Sequence, residues 1–172
     1  MAYNFDEVIN RKGTSCVKYD ALEKYFGYKD LQPLWVADMD FKTPDVVNEA
    51  IIKRASQGIY GYATPTKKTF NLVRDWMKKR HNWDIDTSWI SFVNGVVPAY
   101  SAAIEALSEE GDEIIIQTPV YFPLFKSVEV NNRVLVKNSL KEENGYYTMD
   151  LKDLISKITP KTKVLTLCSP HN

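Results

Sequence analysis

Cysteine and histidine are scarce in this chain. It has two cysteines, Cys16 and Cys168, which lie far apart in the sequence, and two histidines. So few cysteines do not make the disulfide framework that small secreted domains use. Metal sites with nitrogen and sulfur ligands need clusters of these two residue types. The sequence therefore predicts neither a disulfide scaffold nor a metal site.

An excess of positive charge is also missing. Lysine and arginine together number 22, as do aspartate and glutamate, so the formal net charge is zero. Proteins that bind nucleic acid or anionic membranes usually carry a basic excess. The local basic stretch Lys78–His81 is typical of a helix C-terminus, where cations are favourable. We therefore expect neither nucleic acid nor a membrane among the partners of this protein.

Long apolar runs are absent as well. No window of the sequence is apolar enough to span a bilayer. Residues 1–7 do not show the basic start and the apolar run of a secretory signal. The composition, with 44% hydrophobic and 26% charged residues, is that of a globular protein. Together these observations predict a cytoplasmic location.

The first part of the chain shows an arm followed by two helices. Residues 1–42 are rich in aromatic and charged residues without a sustained period, which predicts an arm with one short helix around Tyr19–Phe26. A longer amphipathic helix follows, with Thr43 as its expected cap. After a loop at Gly58–Pro65, a second amphipathic helix ends near Asn82.

From residue 89 onward, short apolar runs alternate with helical patterns. The apolar runs are Trp89–Val93, Glu113–Gln117, Arg133–Val136 and Lys163–Leu167. The helical patterns between them are Pro98–Leu107, Phe122–Val130 and Leu151–Ile158. This alternation predicts an α/β fold with a mainly parallel sheet that is buried on both faces. The segment Leu140–Met149, centred on Asn144-Gly145, predicts a β-hairpin.

Three ends of the expected strands carry candidate binding residues, and ligands of open α/β sheets collect at such ends. Gly95 opens a helix whose first amides suit a phosphate group. Tyr121 follows the second strand, where its flat ring can stack on an aromatic ligand, and Asn172 follows the last strand. Each feature alone also fits a structural role: a strand-to-helix turn, a ring that caps the core, and an ordinary turn.

Taken together, five segments in this order resemble fold-type I pyridoxal-phosphate (PLP) enzymes, the aminotransferase class I/II superfamily. They are Trp35–Phe41, Gly61-Tyr62, Gly95–Pro98, Gln117–Tyr121 and Cys168–Asn172. Within that superfamily the sequence is most similar to the cystathionine β-lyase-like C–S lyases of the MalY/PatB type. The resemblance implies an N-terminal arm over residues 1–42. It also implies an incomplete PLP-binding large domain with three αβα layers over residues 43–172.

The resemblance further implies that PLP is the cofactor and assigns residues to it. The residues concerned are Gly95, Val96, Val97, Tyr121, Asn172 and Tyr62. Gly95 would allow the tight turn, and Val96 and Val97 would offer backbone amides to the phosphate. Tyr121 would stack on the pyridine ring, and Asn172 would bond the phenolic oxygen of the cofactor. Tyr62 would reach the phosphate of the neighbouring subunit in a homodimer.

A second implied site concerns the substrate, a small amino acid. The backbone at Val36 and Ala37 would lie beside the carboxylate of this substrate. The residues around this pair also have structural interpretations, because Trp35 fits aromatic packing. Asp38 and Asp40 fit helix capping or ion pairs with the arm.

The residue that performs the chemistry is not expected in this chain. PLP enzymes use a lysine that forms a Schiff base with the cofactor. In the family this lysine lies beyond the Ser169–Asn172 motif, so the resemblance implies no catalytic residue here and a longer parent enzyme. Lys68 lies in a Lys-Thr-Phe sequence like the one around the cofactor lysine. Its place in an early amphipathic helix instead predicts a surface residue.

For the parent enzyme, the resemblance implies a PLP-dependent C–S β-lyase that cleaves cystathionine or cysteine S-conjugates. An aminotransferase on the same scaffold is the alternative, because both reactions begin in the same way. A third hypothesis belongs to a different class of protein. In it the 172-residue chain is a non-catalytic fragment, or a half that binds a partner.

Overall fold

The computed structural model describes residues 3–172, which form two compact units. The first unit reaches Thr64 and the second begins at Pro65. Met1 and Ala2, which belong to the predicted arm, lie outside the described residues. The domain boundary expected between residues 42 and 43 concerns the longer protein and stays a prediction.

The described part of the first unit contains three helices. These are α1 (Val17–Asp20), α2 (Leu22–Phe26) and α3 (Asp45–Ala55). The single short helix expected around Tyr19–Phe26 is therefore two short helices. The prediction that Thr43 caps α3 is wrong, because Pro44 is the N-cap residue and its carbonyl oxygen accepts the amide of Val47 at 2.9 Å. Thr43 lies one residue too early to reach the first turn.

The second unit begins with its longest helix, α4 (Lys67–His81). Thr66 and Thr69 form a reciprocal capping box at its start, in which each side chain accepts the backbone amide of the other residue. At its end Asn82 adopts a left-handed conformation with φ of 49°, near the predicted terminus. Among the described residues, no helix is long and apolar enough to cross a membrane.

A parallel three-stranded sheet forms the centre of the second unit, as predicted. Its strands are β1 (Glu113–Thr118), β2 (Val134–Ser139) and β5 (Thr162–Thr166). Strand β1 lies in the middle and pairs in parallel with both neighbours, so the sheet order is β2-β1-β5. The side chains of Ile114, Ile115 and Ile116 are at most 1% exposed. The apolar run of the sequence thus marks the strand that is buried on both faces.

Helices cover this sheet on both sides. Helices α5 (Val96–Leu107) and α6 (Pro123–Val130) pack on the face that carries Ile114 and Ile116. Helix α7 (Leu151–Ser156) lies on the opposite face, where the buried Asn138 side chain donates to the Asp153 carboxylate at 2.8 Å. The three-layer αβα arrangement expected from the sequence is therefore confirmed.

The predicted hairpin is also present. Strands β3 (Lys141–Glu143) and β4 (Tyr146–Thr148) pair in antiparallel fashion. Asn144 and Gly145 both have positive φ, at 54° and 82°, as a two-residue type I′ turn requires.

One expected strand does not form. Residues 87–89 make a single turn of 3-10 helix, and the rest of the Trp89–Val93 segment has no assigned strand structure. An extended segment becomes a strand only when another strand accepts and donates its backbone hydrogen bonds. Within residues 3–172 no strand pairs with this segment. Its apolar pattern was therefore insufficient to predict a strand.

Candidate functional site

The candidate site of the second unit lies at the carboxyl edge of the sheet. Strands β1 and β5 end at Thr118 and Thr166, so the segments that follow them leave the sheet at the same edge. The Tyr100 hydroxyl, in the first half of α5, lies 2.7 Å from the Thr166 hydroxyl. This contact places the first half of α5 against the end of β5. The start of α5 and the two loops therefore meet at one edge.

The start of α5 provides backbone amides. Gly95 is its N-cap residue, with φ of 125° and ψ of 164°, and its carbonyl oxygen accepts the Ala99 amide at 3.2 Å. The first amides of a helix have no partner within the helix, and Pro98 has no N–H to offer. Within the described residues, the amides of Val96 and Val97 are therefore the free donors of this turn, and the helix dipole favours an anion beside them.

Tyr121 and Asn172 are brought together by the two loops. The Tyr121 amide donates to the Asn172 carbonyl oxygen at 2.7 Å, and the His171 Nε2 donates to the Pro119 carbonyl oxygen at 2.5 Å. Tyr121 is 42% exposed and is therefore partly accessible to a ligand. The loops border a cavity of about 550 Å³, lined by Pro119, Val120, Tyr121, Phe122, Leu140, Tyr147, His171 and Asn172.

Sequence reasoning did not place Leu140 and Tyr147 at the site, although both line this cavity. Both belong to the hairpin or its approach, and the Leu140 amide donates to the Thr118 carbonyl oxygen at 2.7 Å. The predicted parallel sheet could have located them, because β2 runs parallel to β1 and the residue after β2 must emerge at the same edge. The expected hairpin therefore had to start beside the candidate site.

In the first unit, ion pairs anchor the segment that contains Val36 and Ala37 to an earlier part of the arm, at Arg11 and Lys18. The carboxylate of Asp38 lies 2.6 Å from Arg11 Nη2, and that of Asp40 lies 2.6 Å from Arg11 Nη1 and 2.8 Å from Lys18 Nζ. Of the two roles left open for these acids, ion pairing with the arm is the one that forms. We call Arg11, Lys18, Asp38 and Asp40 the arm ion-pair cluster.

Within the arm ion-pair cluster, each charge stabilises the opposite one. Lys18, followed by Arg11, lowers the pKa of Asp40 to about 2, and Arg11 is the main cause that lowers the pKa of Asp38. In return, Asp38 raises the pKa of Arg11 and Asp40 raises the pKa of Lys18. All four groups are therefore charged near neutral pH.

Lys68 and Tyr62, two further residues named above, are both exposed. Lys68 lies in the first turn of α4 and is exposed, which confirms that it is a surface residue. Tyr62 lies in the first unit and is fully exposed. Its contact with a neighbouring subunit stays a prediction.

We expect Gly95→Ala to destabilise the protein by about 1–3 kcal/mol, the cost of a backbone conformation that is nearly confined to glycine. The added Cβ has room, since its nearest neighbour, Pro98 Cδ, is 3.7 Å away, so strain is the only cause. Urea unfolding checks this result. Gly61→Ala is the control, because Gly61 does not have a positive φ and its Cβ would meet nothing within 4 Å. Equal stability of Gly95→Ala and the unmodified protein would contradict the prediction.

The arm ion-pair cluster predicts a pH dependence of stability. The folded pKa of Asp40, about 2, lies below its unfolded value of about 3.9. Its ion pairs therefore stabilise the fold above about pH 4, and this contribution is lost as the pH falls toward 2. We expect the stability difference between the unmodified protein and Asp40→Asn to shrink over that range in thermal unfolding.

The matched control is Asp30→Asn, at an exposed position of the same unit. A difference for Asp40→Asn that remains constant from neutral pH down to pH 2 would contradict this assignment.

Comparison with known proteins identifies the family. The model of the aminotransferase class I and II family matches residues 29–172. The cystathionine β-lyase PatB of Bacillus subtilis is 44% identical over 170 residues, which cover 98% of this chain and 44% of that protein.

Solved structures agree with this match. Cystalysin from Treponema denticola, which contains a PLP cofactor, gives a TM-score of 0.92 at 38% identity, over 100% of this chain and 44% of that one. The PLP-bound C–S lyase from Staphylococcus hominis gives a TM-score of 0.91 at 31% identity, again over 100% of this chain and 44% of that one. The chain thus spans less than half the length of these relatives. The fold and the partial span expected from the sequence are confirmed, and the chain belongs to the aminotransferase class I and II family.

Proposed function

We propose that the enzyme containing this chain is a PLP-dependent C–S β-lyase that cleaves cystathionine or cysteine S-conjugates. The observation that carries the proposal is the meeting of three groups at one sheet edge: free helix amides, a partly exposed aromatic residue and an asparagine. Similarity to PatB, cystalysin and a C–S lyase supports lyase activity.

The groups at this edge suit PLP. The cofactor has a phosphate, a flat ring and a phenolic oxygen, and each has a matching partner here. We propose that Gly95 with the amides of Val96 and Val97 holds the phosphate, that Tyr121 stacks on the ring, and that Asn172 bonds the phenolic oxygen. When bound, PLP supplies an electron sink that stabilises the negative charge left after a proton leaves the substrate Cα.

We further propose that this chain holds and orients the cofactor but supplies no catalytic lysine. Within the described residues, none of the side chains that line the cavity is a lysine. Lys68 is exposed on α4, outside that cavity lining. The 172-residue chain by itself is therefore proposed to be inactive.

Three other parts of the proposal concern substrate, assembly and location. The backbone amides of Val36 and Ala37 bind the carboxylate of a small amino-acid substrate. The full-length enzyme is a homodimer in which Tyr62 contacts the cofactor phosphate of the partner subunit. A cytoplasmic location is supported by the free thiols of Cys16 and Cys168.

An aminotransferase is the second candidate function. It is favoured by the match of residues 29–172 to the aminotransferase class I and II family. A transaminase and a lyase use the same cofactor and the same kind of substrate, so the groups described at the sheet edge serve both.

An assay of the full-length gene product, supplied with PLP, separates these candidates. With cystathionine and water, a lyase forms homocysteine, pyruvate and ammonia in equal amounts. We expect thiol and pyruvate to appear together without an added 2-oxo acid. Turnover that requires a 2-oxo acid and releases no thiol would instead establish the aminotransferase. Absence of both reactions would overturn the proposal.

A further inference from the structure

The two residues proposed to bind the substrate carboxylate lie between two anchored points of the chain. Before them, the Trp35 indole donates to the Lys18 carbonyl oxygen at 3.1 Å, and its ring packs 5.3 Å from that of Phe26. Among residues 3–172, the backbone amides of Val36 and Ala37 have no hydrogen-bond partner. They are therefore available to a ligand.

After them, the chain is held by the cations of the arm. Lys18 Nζ donates to the Asp38 carbonyl oxygen at 3.0 Å, and Arg11 Nη1 donates to the Met39 carbonyl oxygen at 3.4 Å. These bonds reach the backbone itself, in addition to the side-chain ion pairs. The Lys18 side chain is only 9% exposed, so its position is set by its surroundings.

The same cations also cancel an unfavourable charge. Asp38 directly follows Ala37, and an unpaired carboxylate there would repel the carboxylate of a substrate. Two cations and two carboxylates make the arm ion-pair cluster neutral as a whole. Arg11 and Lys18 each contact both acids, but Arg11 makes the shorter contact with Asp38, 2.6 Å against 3.4 Å. The loss of Arg11 therefore loosens the segment and leaves Asp38 less neutralised.

We propose that Arg11 and Lys18 are positioning residues that hold the Val36–Ala37 amides in the conformation that binds the substrate carboxylate. The inference rests on the proposed role of these two amides. It adds a function to cations that do not themselves touch the substrate.

The test uses the full-length enzyme loaded with PLP. We expect Arg11→Ala to raise KM about tenfold with kcat unchanged, because losing charged hydrogen bonds of this kind weakens binding by roughly that factor. The PLP dissociation constant should not change. Arg11→Lys, which keeps the charge but loses the two-pronged contact, should give a smaller rise in KM.

Two controls separate positioning from a general loss of structure. Lys42→Ala removes an ion pair of the same length, 2.6 Å to Glu7 in the same unit, and should leave KM unchanged. Inhibition by a substrate analogue that lacks the carboxylate should be equal in Arg11→Ala and the unmodified enzyme. Equal weakening of the analogue and the substrate would overturn the inference, as would an unchanged KM.

The result also distinguishes this inference from the proposed function. An unmodified enzyme without lyase or transaminase activity overturns the proposed function before any variant is compared. An active enzyme whose KM is the same in Arg11→Ala overturns the positioning role alone. Should Arg11→Ala fail to fold, Arg11→Lys decides: a raised KM with normal kcat supports the role, and an unchanged KM overturns it.

Discussion

The parallel pairing of β1 with both of its neighbours is the constraint on which the candidate cofactor site depends. Three consecutive isoleucines make β1 the buried centre of the sheet, with side chains at most 1% exposed. Because the three strands run in one direction, the segments that follow them emerge at one edge. The sheet brings the helix amides, the tyrosine ring and Asn172 to this edge, and the hydrogen bond from the Tyr121 amide to the Asn172 carbonyl oxygen links the two loops there.

The first unit is organised differently, by charge. Its described core is small. Leu22 is 2% exposed, and a lysine, Lys18, is also buried in this unit. In place of a larger apolar core, the arm ion-pair cluster fixes the path of the backbone at residues 38–40. A buried lysine is tolerated there because the Asp40 carboxylate and the Asp38 carbonyl oxygen accept its hydrogen bonds, and the Asp38 carboxylate lies 3.4 Å away. We propose that the Val36–Ala37 segment takes its conformation from these pairs.

Much of the second unit could be predicted from the sequence, because periodicity reports burial. The runs at β1, β2 and β5 and the helix at Pro123–Val130 were found within a few residues of their bounds. The strand predicted at Trp89–Val93 is absent for a physical reason. An apolar pattern indicates burial, but it does not indicate whether another strand is available to pair with the segment. Leu140 and Tyr147 were missed because lining residues depend on the path of the hairpin, which local patterns do not describe.

For the site, single features were ambiguous and their order was informative. Gly95, Tyr121 and Asn172 each fit an ordinary turn, and only the sheet topology brings them to one edge. Arg11 and Lys18 could not be chosen from the sequence, since pairing over about twenty to thirty residues leaves no periodic signal. The resemblance assigned candidate binding residues, and the structure shows which contacts hold the segments that carry them.

We infer that this chain carries groups that hold PLP but no lysine that bonds it. The most direct test adds PLP to the purified 172-residue chain, reduces the mixture with borohydride and maps the labelled lysines by mass spectrometry. We expect no single lysine to be labelled selectively, and no visible absorption band of a lysine-bound cofactor. A stable band trapped on one specific lysine would contradict the account, because the chain would then contain a complete cofactor site.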